Sequence, residues 1–446
     1  MAGDQQARLL GPWTATALVV GNIIGAGIFL LPATLAPFGQ NAIYGWLLTI
    51  AGALCLAWVF AQLASRLDGG PYAYVHEAAG ELPAFMVMWS YWISIWAGLP
   101  VLAIAAVSYA SSIVPAIGGP VAAPLSAIAA VWLLTLVNMR GARSAGLVQL
   151  VTTILKLLPL LAVVLVAAFL FEHGDHAAAL SPTPVSPAAI ATAGTLALFS
   201  MLGFESASVA AARVANRARV VPRATLAGTA LVGIVYLVAC TAVLFLLSGE
   251  RAAASPAPFA DAIVPALGSL AGTLIAGFAI ISALGCLNGW ILCSGEVPLA
   301  LARDGVFPRW FARTTAAGTP VRAQIVSSVF ASLLIASNYS RSMADLFAFM
   351  LLVTTTVTLV LYFACAASAL VLMARGKLKA PLLGGAAVLG LAFALWAFWG
   401  AGKEAAGWGL ALLATGIPVY FVMRRAAGFN SSAATPPAAV PAAPPE

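Results

Sequence analysis

The sequence of 446 residues contains very few charges, since Asp, Glu, Lys and Arg together make up only 8% of it. Soluble globular domains carry about 25% charged residues, so this composition excludes a water-soluble enzyme. Hydrophobic residues make up 62%, which also excludes disorder over most of the chain. Histidine and cysteine are scarce too, with three and five copies. The composition therefore predicts a large helical membrane protein.

The few cysteines and histidines lack the spacing of a metal site. All five cysteines fall within apolar stretches, where we expect them to serve packing. His173 and His176 share a short polar segment, which we interpret as an exposed loop. Paired carboxylates at membrane depth are also lacking. We therefore predict no metal, no cofactor and no catalytic residues.

Long apolar stretches are abundant, and a spanning helix needs about 20 mostly apolar residues. Twelve such stretches occur, at residues 12–35, 41–64, 84–111, 121–138, 147–171, 187–212, 224–247, 263–299, 323–337, 345–373, 381–400 and 406–423. The third, eighth and tenth exceed one span, so we expect them to tilt or to extend beyond the bilayer. The predicted fold class is an all-α integral membrane protein with 12 transmembrane helices.

Basic residues are distributed unevenly between the predicted loops. With the N-terminus inside, 17 of the 21 Lys and Arg residues lie on the inner side, three lie outside and Lys156 lies within a span. This bias predicts that both termini are cytoplasmic. It also accounts for the net charge of +7 without any nucleic-acid partner.

Residues 1–10 form the predicted N-terminal segment, and residues 426–446, rich in Ala and Pro, are expected to form a disordered tail.

Two predicted helices, the first and the sixth, contain residues that interrupt a helix. Helix 1 contains Gly21, Gly25 and Gly27, and each glycine costs about 1 kcal/mol relative to alanine in a helix. We interpret the segment from Gly25 to Gly27 as a point where the helix unwinds and frees backbone N–H groups that suit a carboxylate. Helix 6 places Gly203, Glu205 and two serines at mid-span. Interrupted helices at corresponding positions of two halves are typical of inverted-repeat transporters.

Ionisable side chains within the spans are few. A charge at the bilayer centre costs about 2.5–3.5 kcal/mol, so each one needs a partner or a function. Glu205 lies beside the helix-6 interruption, where its carboxylate could face a cationic substrate. Lys156 in helix 5 either donates to carbonyls freed by the helix-1 interruption or changes protonation during transport. Both interpretations of Lys156 stay open at this point.

Five segments carry a resemblance to a known family. They are GNIIGAGIFLLPATLA (21–36), AIYGWLLTIAGAL (42–54), GGPYAY (69–74), GFESASVAA (203–211) and ARDGVFPRWFARTTAAGTP (302–320). In them the chain resembles the amino acid–polyamine–organocation (APC) superfamily, and more closely its bacterial arginine/agmatine antiporter branch. The resemblance implies a five-plus-five inverted-repeat (LeuT-like) fold with helices 1 and 6 broken. Residues 11–375 would form helices 1–10, and residues 376–425 would form helices 11 and 12.

The resemblance also implies a function and its setting. It implies alternating-access exchange of amino acids or amines, without sodium, in the lipid bilayer of a bacterial inner membrane. It further implies a homodimer. The substrate-binding residues that match by position are Ile23, Gly25, Ala26, Gly27, Leu99, Phe199, Phe204, Trp290 and Thr354. The matching gate residues are Tyr91, Glu205, Trp290 and Tyr362.

Some positions depart from the antiporter pattern. Ala26 stands where that branch has a Ser, and Leu99 where it has an Asn that meets the guanidinium group. Lys156 is absent from that pattern but present in proton-coupled permeases and neutral amino-acid exchangers of the superfamily. A fixed positive charge near the site would repel a dicationic amine. Two functions stay open: arginine/agmatine exchange, or a proton-coupled or exchanging permease for neutral or broad-range amino acids.

Overall fold

The computed structural model is built of α-helices and short 3-10 turns over the residues that it describes. These are residues 11–140, 145–173, 183–206, 216–315, 318–338 and 340–426. The predicted N-terminal segment, the part of predicted helix 6 after residue 206, His176 and the predicted tail after residue 426 lie outside these ranges. The described part contains no strand, as expected for a helical membrane protein.

The described helices are numbered here in chain order. The first eight are α1 (Pro12–Ile23), α2 (Leu31–Leu35), α3 (Gln40–Arg66), α4 (Gly70–Ala79), α5 (Glu81–Ile113), α6 (Ala122–Met139), α7 (Ala145–Glu172) and α8 (Pro187–Met201). The others are α9 (Arg217–Leu246), α10 (Gly249–Ala254), α11 (Pro258–Arg303), α12 (Val321–Ala336), α13 (Met343–Ala374), α14 (Leu383–Gly400), α15 (Gly402–Ala414) and α16 (Gly416–Ala426).

Nine helical segments in the described ranges are long and apolar enough to cross a membrane. They are α3, α5, α6, most of α7, α9, α11, α13, α14 and the pair α15 and α16. Predicted helices 1, 6 and 9 correspond to shorter elements, namely α1 with α2, α8, and α12. The all-helical membrane architecture is therefore supported, whereas the number of twelve spans stays a prediction.

Several helix ends differ from the predicted spans. The predicted span 224–247 lies in a helix that already begins at Arg217. The predicted span 406–423 consists of two helices, α15 and α16, which meet at Thr415. The short helices α4 and α10 lie in segments that were predicted as loops. Hydropathy marks the part of a helix that matches the bilayer, so it misses polar extensions and short helices outside it.

The predicted span 263–299 lies within α11, whose helix is interrupted near its N-terminal end. Gly268 has φ 82° and ψ 170° there, a conformation that few residues other than glycine adopt. Residues 258–267 therefore form a separate short helix that precedes the long one. The predicted span includes the end of this short helix, which accounts for part of its excess length.

The helices pack in two groups. In the first packing group (α1, α3, α8 and α9), α3 packs against α8 and α9, and α1 packs against α9. In the second packing group (α5, α6, α11 and α12), each helix contacts the other three. The candidate site lies where the two groups meet, because the interrupted segment after α1 contacts both α5 and α11.

Hydrogen bonds between side chains join the helices of the second packing group. Asn138 on α6 donates to Asn288 on α11 over 2.7 Å. Thr135 on α6 and Ser328 on α12 share a hydrogen bond of 2.7 Å. Each interhelical bond of this kind contributes about 0.6–2 kcal/mol in a membrane. These bonds make the second packing group a connected scaffold.

In the first packing group, the side chain of Arg217 binds the C-terminal end of α3. It donates to the carbonyl oxygen of Ala64, to that of Leu67 at 2.7 Å, and to the Asp68 carboxylate at 2.5 Å. The last carbonyls of a helix lack partners within the helix, and the helix dipole favours a cation there. Arg217, the first residue of α9, therefore holds the C-terminal end of α3 and the N-terminal end of α9 together.

We expect Arg217→Lys to lower the apparent melting temperature of the purified protein. A lysine ammonium cannot make the same divergent set of contacts as a guanidinium, and a hydrogen bond to a charged group contributes about 1.5–3 kcal/mol. Arg219→Lys, at an exposed position two residues away, is the matched control and should melt like the wild type. Equal melting temperatures for the two variants would contradict this account of the α3–α9 contact.

Candidate functional site

The first interruption follows α1. The α-helix ends at Ile23, after which Ile24 (ψ 96°) and Gly25 (φ −106°, ψ 178°) are extended. A buried 3-10 turn from Ala26 to Phe29 then leads into α2. An extended backbone inside a membrane protein needs partners from the protein itself. Two side chains from other helices supply them.

Lys156 on α7 is one of these two side chains. Its ammonium group is 1% exposed and donates to the carbonyl oxygen of Ile24 over 3.0 Å. This contact corresponds to the first of the two interpretations, in which Lys156 satisfies a carbonyl at the interruption. It also places a cationic side chain directly beside the segment where the substrate carboxylate was predicted.

Tyr236 on α9 is the second side chain that contacts the extended segment, and no sequence motif pointed to it. Its hydroxyl accepts a hydrogen bond from the backbone N–H of Gly25 over 3.2 Å. The prediction that this N–H is free is therefore wrong for Gly25. The sequence did contain one signal for this contact, namely a tyrosine in the middle of an otherwise apolar helix. A buried tyrosine hydroxyl usually has a hydrogen-bond partner.

The second interruption follows α8. The α-helix ends at Met201, and Gly203 has φ 117° before a 3-10 turn from Phe204 to Ser206. A side chain at Gly203 would lie 2.6 Å from the carbonyl oxygen of Asn22 in helix 1. Only glycine fits both this backbone conformation and this close approach. The segment after α8 therefore lies directly against the last turn of α1, just before the helix-1 interruption.

Glu205 and Tyr362, two of the predicted gate residues, are adjacent. The Tyr362 hydroxyl donates to the Glu205 carboxylate over 2.8 Å, and the backbone N–H of Gly203 donates to it over 3.0 Å. Glu205 is only 9% exposed. Tyr91, a third predicted gate residue, lies on α5. The structure thus joins two of the four predicted gate residues, Glu205 and Tyr362, by a hydrogen bond just after α8.

Phe204, predicted to lie at the substrate, has a fully buried side chain. Its ring stacks on Tyr362 with a centroid distance of 4.8 Å and meets Phe60 on α3 edge to face at 5.9 Å. Its side chain therefore packs against Tyr362, one of the predicted gate residues. The sequence could not predict this contact, because the direction of a side chain at a helix interruption depends on the local turn.

Phe199 and Trp290 form what we call the aromatic layer. Their ring centroids are 6.3 Å apart, with an angle of 38° between the planes. Phe199 belongs to α8 in the first packing group, and Trp290 belongs to α11 in the second. The layer therefore spans the boundary between the two groups, next to the helix-1 interruption.

The remaining predicted substrate contacts are buried around this centre. Ile23 and Leu99 are 2% and 0% exposed. Thr354 is fully buried on α13 and its hydroxyl donates to the carbonyl oxygen of Met350. Its hydroxyl proton is thus already in use, although the oxygen can still accept. Within the described ranges no group of three or more metal-ligating side chains occurs.

Comparison with known proteins gives a consistent set of similarities. An amino acid permease family model matches residues 10–423 of the chain. The chain is 35% identical over 329 residues to the cadaverine/lysine antiporter of Escherichia coli, covering 72% of this chain and 73% of that protein. It is 28% identical over 408 residues to the putrescine transporter PotE of Haemophilus influenzae, covering 90% and 93%. It is 27% identical over 407 residues to PotE of Escherichia coli, covering 90% and 92%.

We expect Lys156→Met to lower the apparent melting temperature, because the buried Ile24 carbonyl loses its donor and an unsatisfied buried group costs about 1–3 kcal/mol. The matched control is Lys377→Met, which removes an exposed ion pair with Glu77 that contributes at most about 1 kcal/mol. Thermal unfolding followed by size-exclusion chromatography measures both. A Lys156→Met protein as stable as the wild type would show that the Ile24 contact contributes nothing.

Proposed function

The chain belongs to the amino acid permease family, and we propose that it exchanges a basic amino acid for the amine formed by its decarboxylation. The family and the relatives are transporters, so the chain is an integral membrane transporter and not an enzyme. We place it in a bacterial inner membrane as a homodimer, with both termini in the cytoplasm. The distribution of Lys and Arg supports this orientation.

The buried carboxylate of Glu205 is the observation that carries this proposal. It lies in the 3-10 turn after α8, where the Tyr362 hydroxyl and the Gly203 N–H donate to it. An ionisable side chain within a membrane-spanning region marks a candidate functional site, and a carboxylate there attracts a cation. The ammonium group of a basic amino acid or of an amine is such a cation. The relatives named as cadaverine/lysine and putrescine carriers support this choice.

The substrate spans the two interruptions in this proposal. The α-carboxylate lies at the turn formed by Ala26 and Gly27, close to the ammonium group of Lys156. The aliphatic chain passes the aromatic layer, and its terminal ammonium group reaches Glu205. Phe199 and Trp290 close over the chain while Tyr91 and Tyr362 close the inner side. The first packing group then moves against the scaffold of the second, which opens the other side.

Leu99 supports a choice between the possible pairs of substrates. The arginine/agmatine pair follows from the resemblance of the sequence, but a guanidinium group needs acceptors for its five N–H donors. Leu99 is fully buried and offers none. An aliphatic chain ending in a single ammonium group suits this surface better. We therefore place lysine and cadaverine first and arginine and agmatine second.

In either case the outgoing amine carries one more positive charge than the incoming amino acid, so each cycle removes acid from the cytoplasm.

A second candidate function is proton-coupled or exchanging transport of neutral amino acids. The contact between Lys156 and Ile24 favours it, because a cationic side chain at the carboxylate end would weaken binding of a dicationic amine. Glu205 opposes it, since a neutral substrate brings no positive charge to this carboxylate. The two functions differ in whether transport requires substrate on the far side of the membrane.

Counterflow in proteoliposomes tests the exchange. We expect uptake of labelled lysine when the vesicles contain cadaverine, less uptake when they contain agmatine, and none when they are empty. An imposed membrane potential should change the rate, because the exchange moves net charge. Uptake of neutral amino acids into empty vesicles along a proton gradient would support the second candidate. Folded protein that moves none of these compounds would refute both.

We expect Glu205→Gln to reduce cadaverine/lysine exchange by about tenfold or more, since the interaction of a charged group contributes about 1.5–3 kcal/mol. The glutamine keeps an oxygen that accepts from Tyr362 and Gly203, so the fold should persist. Glu296→Gln, at an exposed position on α11, is the matched control and should exchange normally. Initial rates at several substrate concentrations measure the effect. Unchanged exchange by Glu205→Gln would remove the main support for an amine substrate.

A further inference from the structure

Each ring of the aromatic layer lies against a glycine. A methyl group at Gly27, in the helix-1 interruption, would lie 2.5 Å from Cε1 and 2.8 Å from Cδ1 of Phe199. A methyl group at Gly98, on α5, would meet Cζ3 of Trp290 and would lie 2.9 Å from its Cε3 and 3.2 Å from its Cη2. The order across the site is therefore Gly27, Phe199, Trp290 and Gly98. Neither glycine leaves room for a side chain unless the ring moves.

Gly98 is not required by the backbone conformation. It lies in the interior of the continuous helix α5 and is buried, where alanine would be more favourable than glycine by helix propensity. The positive-φ glycines of the described chain do not include it. The feature that an alanine would destroy is the contact with the indole ring. Gly98 therefore matters through its missing side chain and not through its flexibility.

The position of Trp290 relative to Phe199 depends on this contact. Gly98 and Trp290 belong to the second packing group, and Phe199 belongs to the first. If the indole could not lie against the α5 backbone, it would be displaced from its present place. The only aromatic neighbour described for it is Phe199, at 6.3 Å. Protein interiors are too closely packed to absorb such a displacement without cost.

We propose that Gly98 is a positioning residue for the gate: by admitting the Trp290 ring against α5, it sets the gap in the aromatic layer through which the substrate passes. The inference rests on the proposed exchange function, since the gap matters only if substrate moves through the site. Leu99, the next residue, was predicted to contact the substrate. Gly98 itself does not touch the substrate and acts on it only through the Trp290 ring that it positions.

A double-mutant cycle tests this inference. Gly98→Ala, Trp290→Phe and the double variant are compared with the wild type, because phenylalanine lacks the benzo ring of the indole whose atoms meet position 98. Gly277→Ala on α11 is the matched control, since a methyl group there has nothing within 4 Å. Cadaverine/lysine counterflow gives the maximal rate and the half-saturating concentration, and thermal unfolding gives the apparent melting temperature of each variant.

We expect Gly98→Ala to lower the maximal exchange rate at least tenfold when Trp290 is present, and less than twofold in the Trp290→Phe background. Gly277→Ala should leave exchange unchanged. The Gly98→Ala variant should melt at a lower temperature than the wild type. The double variant should melt at the same temperature as the Trp290→Phe variant. This second readout needs no transport, so it still tests the ring contact if the wild type fails to exchange and the proposed function is wrong.

The inference would be overturned if Gly98→Ala exchanges and melts like the wild type. It would also be overturned if alanine at position 98 has the same effect in both Trp290 backgrounds, because the effect would then not pass through the ring. If the Gly98→Ala variant does not fold, the folding of the double variant tests the ring contact. A double variant that folds and matches Trp290→Phe supports the ring contact, and one that also fails to fold refutes it.

Discussion

Backbone polar groups in the core of a bilayer have no water to bind, so every interruption of a spanning helix must find hydrogen-bond partners within the protein. The structure meets this requirement with side chains from distant helices. Lys156 donates to the Ile24 carbonyl, and the Tyr236 hydroxyl accepts from the Gly25 N–H. Glu205 accepts from the Gly203 N–H. The site exists because these contacts stabilise two helices in a conformation that they would not keep alone.

The same contacts connect the interruptions to the gate. Glu205 binds both the backbone of its own interruption and the hydroxyl of Tyr362 on α13. Gly203 approaches the carbonyl oxygen of Asn22, so the segment after α8 touches the last turn of α1. A ligand that changes the environment of Glu205 therefore acts on the helix-6 turn and on a gate residue together. Because Glu205 takes part in both contacts, a ligand that binds near it can change the stability of both at once. This gives a transporter a physical means of coupling substrate binding to the opening of its gate.

Hydropathy and helix-breaking residues were enough to predict a helical membrane protein and the places where α1 and α8 end. The glycines near positions 25 and 203 lie where the helices are interrupted. The sequence could not show that Tyr236 occupies the Gly25 N–H, or that the Phe204 ring packs on Phe60. The resemblance to arginine/agmatine antiporters was similarly limited, since the similarities to a cadaverine/lysine antiporter and to putrescine transporters support the wider family. The proposed choice between substrates rests on Leu99, one of the predicted substrate-binding residues.

The sequence by itself determined that the chain is a helical membrane protein with glycines just after the ends of α1 and α8, because these properties depend on the identity and order of neighbouring residues. Only the tertiary structure decided which groups share contacts. The pairing of Lys156 with Ile24, and the contact of Trp290 with Gly98, join residues far apart in the chain. Such contacts depend on how helices pack, and local patterns of hydropathy carry no information about which side chain meets which backbone atom.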